Sequence, residues 1–140
     1  MEEKNVFPTP VSVPVIKKPR SHRPLLIEGV GGILVPLNKK DLLINLIKKF
    51  KFPVIVVSKS ILGTINHTLM TLEILKKSKI NIFGVILNKV KNKKEGDENA
   101  KSIEKFGNIK VLGQISSINR VTRKKIEALS KKKFISGFKL

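Results

Sequence analysis

Four short apolar runs, separated by segments with helical periodicity, organise the chain from residue 24 onward. Each run is rich in aliphatic residues and is followed directly by polar or glycine-rich sequence, as buried strands often are. A continuous β-branched run of this kind is typical of a parallel strand covered on both faces. The predicted strands are PLLIEG (Pro24–Gly29), FPVIVVS (Phe52–Ser58), NIFGVILNKV (Asn81–Val90) and IKVLGQI (Ile109–Ile115).

The segments between these runs place apolar residues at helical spacing. A turn over Ser60–Gly63 precedes the second predicted helix, which Asn66 can cap and which ends in the lysines of EILKKSK. A charged loop is predicted over Lys91–Asp97. The apolar face of the first helix is Leu42, Leu43, Leu46, Ile47 and Phe50, and that of the second is Leu69, Leu72, Ile74 and Leu75; further helices are predicted over Glu98–Phe106 and from about Val121 to Lys133.

Alternating strands and helices with short connections predict an α/β domain, a parallel sheet flanked by helices. Residues 1–23 differ, because four prolines between positions 8 and 19 exclude a helix and interrupt any central strand. We therefore predict an extended, irregular arm over residues 1–23, followed by one α/β domain over residues 24–140.

Ligands of parallel sheets bind at the carboxyl ends of the strands. All four predicted ends carry polar or glycine-rich sequence directly after a hydrophobic run, which predicts a binding edge. The four ends are Glu28-Gly29-Val30-Gly31-Gly32, Ser58-Lys59-Ser60, Asn88-Lys89 and Ser116-Ser117.

The first end combines a carboxylate with three glycines. Glu28 could hold Mg²⁺ directly or through water, because that cation prefers oxygen ligands. Gly29, Gly31 and Gly32 would let backbone N–H groups approach a phosphate closely. The same residues also fit a tight turn that needs positive φ and leaves Glu28 exposed. The residues alone leave both interpretations open.

Two further segments carry candidate chemistry. LGTINH (Leu62–His67) leads into a helix N-terminus, whose unpaired N–H groups and positive dipole end suit an anion such as a carboxylate. Thr64 or Asn66 would cap that helix with or without a ligand. The amide of Asn88 suits the edge of a purine ring, although an Asn that merely ends a strand is the simpler interpretation of its position.

Composition removes several classes of function. The chain has 29 Lys+Arg against 10 Asp+Glu, a formal charge of +19, but only four of the basic residues are arginine. Base-edge and bidentate phosphate recognition favour arginine, so we do not expect nucleic acid as the partner. The absence of cysteine excludes disulfides and CxxC zinc sites. No apolar run is long enough to span a membrane, and the acidic, proline-broken N-terminus is no secretory signal. We expect a cytoplasmic protein.

Several motifs occur together in a characteristic order. EGVGG is followed by ILVPL, then by PVIVVSKSILGTINHTLMTLE, and then by NIFGVILNKV, a strand with Asn near its end. In this order and spacing the chain resembles the dethiobiotin synthetases, enzymes of biotin synthesis with a P-loop NTPase-like α/β fold. The match covers about Leu25 to Ile118, and LGTINHTLMT is its most specific part.

The resemblance implies an ATP- and Mg²⁺-dependent ring closure. The substrate 7,8-diaminononanoate would capture CO₂ as a carbamate, ATP would phosphorylate it, and the second amine would close a cyclic urea with loss of phosphate. The homodimer of the family is also implied, with the helix start near the dimer interface. By position, the resemblance implies that Glu28 would bind Mg²⁺ and that the phosphates would be lined by Gly29, Val30 and Gly31. Adenine would be contacted by Asn88 and Lys89, and the last nucleotide-binding loop would consist of Ser116, Ser117 and Ile118. The substrate carboxylate would be held by Leu62, Gly63, Thr64 and Asn66.

One departure from the family pattern affects catalysis. The family begins with a strand and a glycine-rich loop ending in Gly-Lys-Thr, and these 140 residues contain no GxxxxGK[ST] sequence. The catalytic lysine of the family precedes the matched region, so no catalytic residue is assigned here. Phosphoryl transfer depends on positioned positive charge and metal. We therefore expect a chain that is incomplete at its N-terminus, whose activity alone is doubtful and which an N-terminal fragment would complement.

Two hypotheses follow from these observations. The first is the C-terminal portion of a dethiobiotin synthetase, which we expect to be marginally stable because the absence of the central P-loop strand would leave the neighbouring strands unpaired. The second is a basic binding module, without catalysis, for nucleic acid or for a complementary P-loop subunit. Nucleic-acid binding would weaken steeply with added salt.

Overall fold

The computed structural model describes residues 13, 15–29 and 31–131, with the side chains of residues 130 and 131 left out. The chain divides into two compact units with their boundary between Phe52 and Pro53. The first unit contains one helix and the second contains a sheet with three helices. The elements are α1 (Leu43–Phe50), β1 (Val54–Lys59), α2 (Thr64–Lys77), β2 (Ile82–Val90), α3 (Lys93–Gly107), β3 (Val111–Ser116) and α4 (Arg123–Lys131).

The second unit is built on a three-stranded parallel sheet in the order β1-β2-β3. Helices α2 and α3 connect successive strands and contact each other. The two crossovers, from β1 to β2 and from β2 to β3, run in the same direction across the sheet. Since such crossovers are right-handed, both helices cover the same side of the sheet. This arrangement confirms the predicted α/β class.

The core of this unit lies between the sheet and these two helices. Its fully buried side chains come from β2 and from the inner faces of α2 and α3, and they are Leu72, Leu75, Val85, Leu87 and Ile103. Gly107 at the end of α3 allows close contact, since a Cβ there would lie 2.8 Å from a methyl carbon of Leu72. The Lys76 Nζ donates a hydrogen bond to the Gly107 carbonyl, which fixes α2 against the end of α3.

In the first unit, α1 has the apolar face that the sequence predicts, together with buried Ile44. The helix ends at Phe50, and its C-cap residue Lys51 has a left-handed φ of 56°. Lys49 Nζ donates to the carbonyl oxygens of Val13 and Ile16 at 2.8 and 2.6 Å. These bonds tie the preceding segment to α1, as does the Asp41 carboxylate, which accepts from the Val13 N–H.

The prediction of a buried strand over Pro24–Gly29 is wrong. These residues have no regular secondary structure and are exposed, Leu26 by 88%. A short apolar run becomes a strand only where a neighbouring strand provides partners for its backbone hydrogen bonds. Among the described residues, no strand pairs with Pro24–Gly29. The predicted fourth strand is consequently the third, β3.

Two helix boundaries also differ from the prediction. Helix α2 begins at Thr64 with Gly63 as its N-cap, so neither Asn66 nor Thr64 caps it. Helix α3 begins at Lys93, which makes most of the predicted loop over Lys91–Asp97 helical. The cause is Asn92, whose side chain caps the helix. The expectation that β1 is covered on both faces is wrong as well, since Val57 is 60% exposed.

Candidate functional site

Backbone hydrogen bonds bring the carboxyl ends of the three strands together along one edge of the sheet. The Ser60 N–H donates to the Asn88 carbonyl at 2.7 Å, and the Ser117 N–H donates to the Val90 carbonyl at 2.9 Å. Lys59 also pairs with Asn88 in the register of β1 and β2. Three of the four predicted strand ends therefore meet, and we call this set of residues (58–60, 88–91 and 116–119) the strand-end edge.

A bulge in β2 shapes the middle of the strand-end edge. The register with β3 shifts between Leu87 and Val90, and Lys89 has a left-handed φ of 57°. The Asn88 Oδ1 accepts a hydrogen bond from the Lys89 N–H at 2.8 Å. Since the oxygen of Asn88 faces its own backbone, the NH₂ group remains as its donor. Bulges with left-handed residues frequently re-aim side chains beside binding sites.

A cavity of about 720 Å³ opens at the β2–β3 end of this edge. Its volume falls in the range of small-molecule sites, roughly 300–1,000 Å³. Polar residues line it from four places: the end of β2, the start of α3, β3 and the loop after β3. These residues include Lys91, Asp97, Gln114, Ser116, Ser117 and Asn119. Ile118 is half-buried within the same loop.

The N-terminus of α2 lies at the β1 side of the edge and has no side-chain cap. Its N-cap Gly63 has a φ of 88°, a conformation that glycine adopts at little cost. The Thr64 N–H donates to Ile61, but the next two N–H groups, those of Ile65 and Asn66, have no partner among the described residues. Two free donors and the positive dipole end thus coincide where the sequence predicts a carboxylate site.

Hydroxyl groups lie beneath this helix start. The Ser58 and Thr68 hydroxyls are 2.7 Å apart and hydrogen-bonded, which ties β1 to α2. Thr64 is only 5% exposed, and its Oγ1 is buried without a hydrogen-bond partner. An unpartnered buried hydroxyl costs free energy, so the helix start carries an unused donor beside the two free amides. Leu62 is fully exposed in the turn that leads into it.

The EGVGG turn lies in the first unit. Glu28, Gly29 and Gly31 are exposed, and Val30 lies outside the described residues. Gly31 has a φ of 74°, and a Cβ on Gly29 would lie 2.9 Å from a methyl carbon of Leu43. The turn therefore requires glycine for backbone reasons, as the simpler of the two sequence interpretations proposes.

The fit of this turn to Mg²⁺ is limited to one ligand. In the part of the chain that the structure describes, no group of three or more His, Asp or Glu side chains could hold a metal ion. Mg²⁺ that arrives with ATP takes most of its ligands from phosphate and water and needs only one or two carboxylates from the protein. Glu28 fits that limited role but not a resident metal site.

Sequence reasoning did not identify the polar pair at the base of the β2–β3 cavity. Gln114 Nε2 donates to Asp97 Oδ1 at 2.7 Å, although the two residues are 17 positions apart. The apolar residues around Gln114 predict only that it lies in a strand, and the charged residues before Asp97 predict that it lies in a loop. The signal that could have located them is Asn92 followed three residues later by Glu95, a helix-start pattern that would have placed Asp97 on α3.

The described helices include none that is long and apolar enough to cross a membrane.

Known proteins with related sequences place the chain in a family. A family model described as an AAA domain matches residues 7–125. The ATP-dependent dethiobiotin synthetase BioD of Paramagnetospirillum magneticum is 41% identical over 121 residues, which are 86% of this chain and 57% of that protein. BioD of Endomicrobium trichonymphae is 51% identical over 89 residues, 62% of this chain and 41% of that protein. The biotin biosynthesis bifunctional protein BioCD of Bordetella avium is 40% identical over 113 residues, 81% of this chain and 23% of that protein.

The chain spans about half the length of the BioD relatives that it matches. These matches confirm the resemblance that the motifs indicated, and the AAA match agrees with an NTPase-like α/β fold. The chain therefore belongs to the AAA-domain family that this model describes, and the relatives to which it is similar include ATP-dependent dethiobiotin synthetases.

Proposed function

We propose that this chain forms the base-binding and substrate-carboxylate-binding part of an ATP- and Mg²⁺-dependent dethiobiotin synthetase. The reaction converts 7,8-diaminononanoate, CO₂ and ATP into dethiobiotin, ADP and phosphate. The names of the relatives support the activity, and the match covers only 57% and 54% of the length of two of those proteins. Ligase activity is therefore proposed for the complete assembly.

The observation that carries the proposal is that one sheet edge holds two different surfaces with polar groups that a ligand could use. The uncapped start of α2 follows β1, and the polar cavity lies at β2 and β3. Neighbouring parallel strands are about 4.8 Å apart, so the two surfaces lie roughly two strands, about 10 Å, from each other. A reaction that joins a nucleotide to a carboxylate-bearing substrate needs two such neighbouring surfaces.

The substrate carboxylate is assigned to the start of α2. Its free amides, those of Ile65 and Asn66, would donate to the carboxylate, and the dipole would favour its charge. Leu62 would contact the aliphatic chain of the substrate, and the left-handed Gly63 shapes the turn before the helix. The neighbouring Thr64 hydroxyl is buried and has no hydrogen-bond partner among the residues that the structure describes.

The nucleotide base is assigned to the cavity. The NH₂ group of Asn88 and the backbone at Lys89 would contact adenine, and Ser116, Ser117 and Ile118 would enclose it. Glu28 would supply one carboxylate to the Mg²⁺ that accompanies ATP, and that ion would neutralise developing phosphate charge. Gly29, Val30 and Gly31 would line the phosphates through their backbone.

Transfer of the phosphate needs a group that these 140 residues do not contain. Their sequence has no GxxxxGK[ST] segment, and such a loop supplies the lysine and hydroxyl that hold phosphate and metal. We assign that loop to a segment outside these residues, and the active assembly to a homodimer or to a complex with a complementing fragment.

Complementation tests this function. The chain is mixed with the segment of the P. magneticum relative that precedes the matched region, together with 7,8-diaminononanoate, bicarbonate, ATP and Mg²⁺. We expect dethiobiotin, detected by mass spectrometry, only when both polypeptides and ATP are present. Glu28→Gln should lower the rate and raise the Mg²⁺ requirement. Absence of dethiobiotin from a complex that forms and binds ATP would contradict the proposal.

A second candidate function is favoured by one observation on α4. The helix contacts no other helix or strand among the described elements, and its first turn has basic residues but no acidic one. Arg123, Lys124 and Lys125 are exposed, although Arg123 pairs with Glu127. If this helix binds nucleic acid, affinity for a 30-base-pair duplex should fall steeply as salt is raised. Equal affinity at low and high salt would remove this candidate.

A further inference from the structure

The cavity at the β2–β3 end of the edge contains a carboxylate held in one orientation. Asp97 Oδ1 accepts from Gln114 Nε2 at 2.7 Å, and both residues are half-buried cavity-lining residues. Gly96 makes this pairing possible, because a Cβ there would collide with Gln114 Oε1 and would lie 2.6 Å from a methyl carbon of Val90. The close packing of α3 on β3 therefore fixes where this carboxylate lies.

The pairing leaves most of the accepting capacity of Asp97 unused. An ionised carboxylate can accept about four hydrogen bonds, and among the described residues Asp97 accepts only the one from Gln114. The lysines of the cavity, Lys91 and Lys93, are exposed, whereas Asp97 is half-buried. A ligand that enters the cavity thus meets an oriented acceptor with negative charge.

The charge of Asp97 decides which part of a nucleotide fits beside it. A carboxylate repels phosphate groups and carbonyl oxygens, and it accepts strong hydrogen bonds from N–H groups. A neutral base satisfies this requirement through an N–H donor, which adenine carries on its exocyclic amino group and a keto purine carries on the neighbouring ring nitrogen instead. Gln114 cannot serve as the acceptor, since its oxygen lies against Gly96.

We propose that Asp97, positioned by Gln114, accepts a hydrogen bond from the exocyclic amino group of the bound base and so selects adenine over a base with a keto group there. This inference rests on the proposed nucleotide site but names a specificity-determining residue within it. Asp97 touches the base in this account, and Gln114 is a positioning residue.

Adenosine and inosine test the proposal, because they differ in carrying an amino group or an oxygen at the same ring carbon. Binding is followed by NMR through the backbone amides of Ser116, Ser117 and Asn119 in the full chain. The wild type should bind adenosine at least about tenfold more tightly than inosine, as expected for a charged hydrogen bond gained against a repulsive contact. Omitting the triphosphate makes the result independent of the phosphate loop and of dethiobiotin formation.

Asp97→Asn should reverse the preference. Gln114 would still donate to the Asn oxygen, which directs the Asn NH₂ group toward the ligand, and an NH₂ group donates to the oxygen of inosine. Glu98→Gln is the matched control, because it removes a carboxylate from the neighbouring, exposed position of α3. It should keep the adenosine preference.

The wild-type ratio needs no variant, so a folding defect in Asp97→Asn leaves the test intact. Affinities for adenosine and inosine within twofold of each other in the wild type would overturn the proposal. So would a lack of response of the three amides to either nucleoside, or a preference that Asp97→Asn leaves unchanged. Failure of complementation with normal adenosine selection would contradict the proposed function alone.

Discussion

Helices α2 and α3 begin in different ways, although both follow a strand of the same sheet and pack on the same core. At the start of α3, Asn92 Oδ1 accepts from the N–H groups of Lys94 and Glu95 at 2.9 and 3.4 Å. At the start of α2, the equivalent N–H groups of Ile65 and Asn66 have no partner among the described residues.

On the proposed function, this difference separates a structural helix start from one that would bind the substrate carboxylate. A side-chain cap satisfies the helix within the protein and leaves nothing for a ligand. An uncapped start retains donors whose free energy is recovered when an anion binds. We therefore expect substitution of Asn92, the cap of α3, to change stability alone, and substitutions at the start of α2 to change ligand binding.

The largest effect should come from the tight packing of the α3 start. Gly96→Ala places a methyl group against Gln114 and Val90 and should lower the free energy of unfolding by roughly 1–3 kcal/mol, as overpacking does. Urea unfolding followed by circular dichroism measures this. Gly32→Ala is the control, because a Cβ there meets nothing within 4 Å. Equal stabilities of the two variants would show that α3 does not pack this closely.

The α2 start depends on a left-handed glycine. Gly63→Ala should lower the free energy of unfolding by about 1–2 kcal/mol, because an L-residue at a φ of 88° is strained. The same urea experiment applies. A stability equal to that of the wild type would mean that the turn can adopt another conformation, and the open helix start would then not be fixed by Gly63.

Removal of the α3 cap should affect stability without affecting ligands. Asn92→Ala should lower the free energy of unfolding by about 1 kcal/mol, the usual contribution of an N-cap. Affinity for 7,8-diaminononanoate, measured by calorimetry, should stay within twofold of the wild type. A larger loss of affinity would contradict the assignment of α3 as the structural start.

The smallest effect should have the opposite sign. Thr64→Val removes the buried hydroxyl that has no partner and keeps the shape of the side chain. We expect the free energy of unfolding to rise by up to about 1 kcal/mol, since the cost of the unpaired group disappears. Thermal unfolding gives the sign. A clear loss of stability would mean that the hydroxyl has a partner after all.

Periodicity predicted the strands that have a neighbouring strand to pair with. The three apolar runs that became β1, β2 and β3 pair with one another, and α2 buries Leu72 and Leu75 against the sheet as predicted. The run at Pro24–Gly29 has the same composition but no strand beside it. Hydrophobic pattern reports what a segment can form, whereas pairing decides whether it does.

Some residues of the candidate site could be placed from the sequence, and others could not. Strand ends meet wherever a parallel sheet forms, so residues such as Asn88 and Ser116 could be placed from the sequence. The Asp97–Gln114 pair could not, because it depends on how closely α3 approaches β3 over Gly96. The bulge at Lys89 is likewise invisible in a pattern of continuous apolar residues.

The central claim is that the uncapped start of α2 binds the carboxylate of the substrate. Its most direct test compares 7,8-diaminononanoate with 2,3-diaminononane, which carries a methyl group in place of the carboxylate, by calorimetry and by NMR of the Ile65 and Asn66 amides. We expect the acid to bind at least about tenfold more tightly and to shift both amides, as a charged hydrogen-bonded contact would. Equal affinities, or amides that the acid leaves unshifted, would contradict the claim.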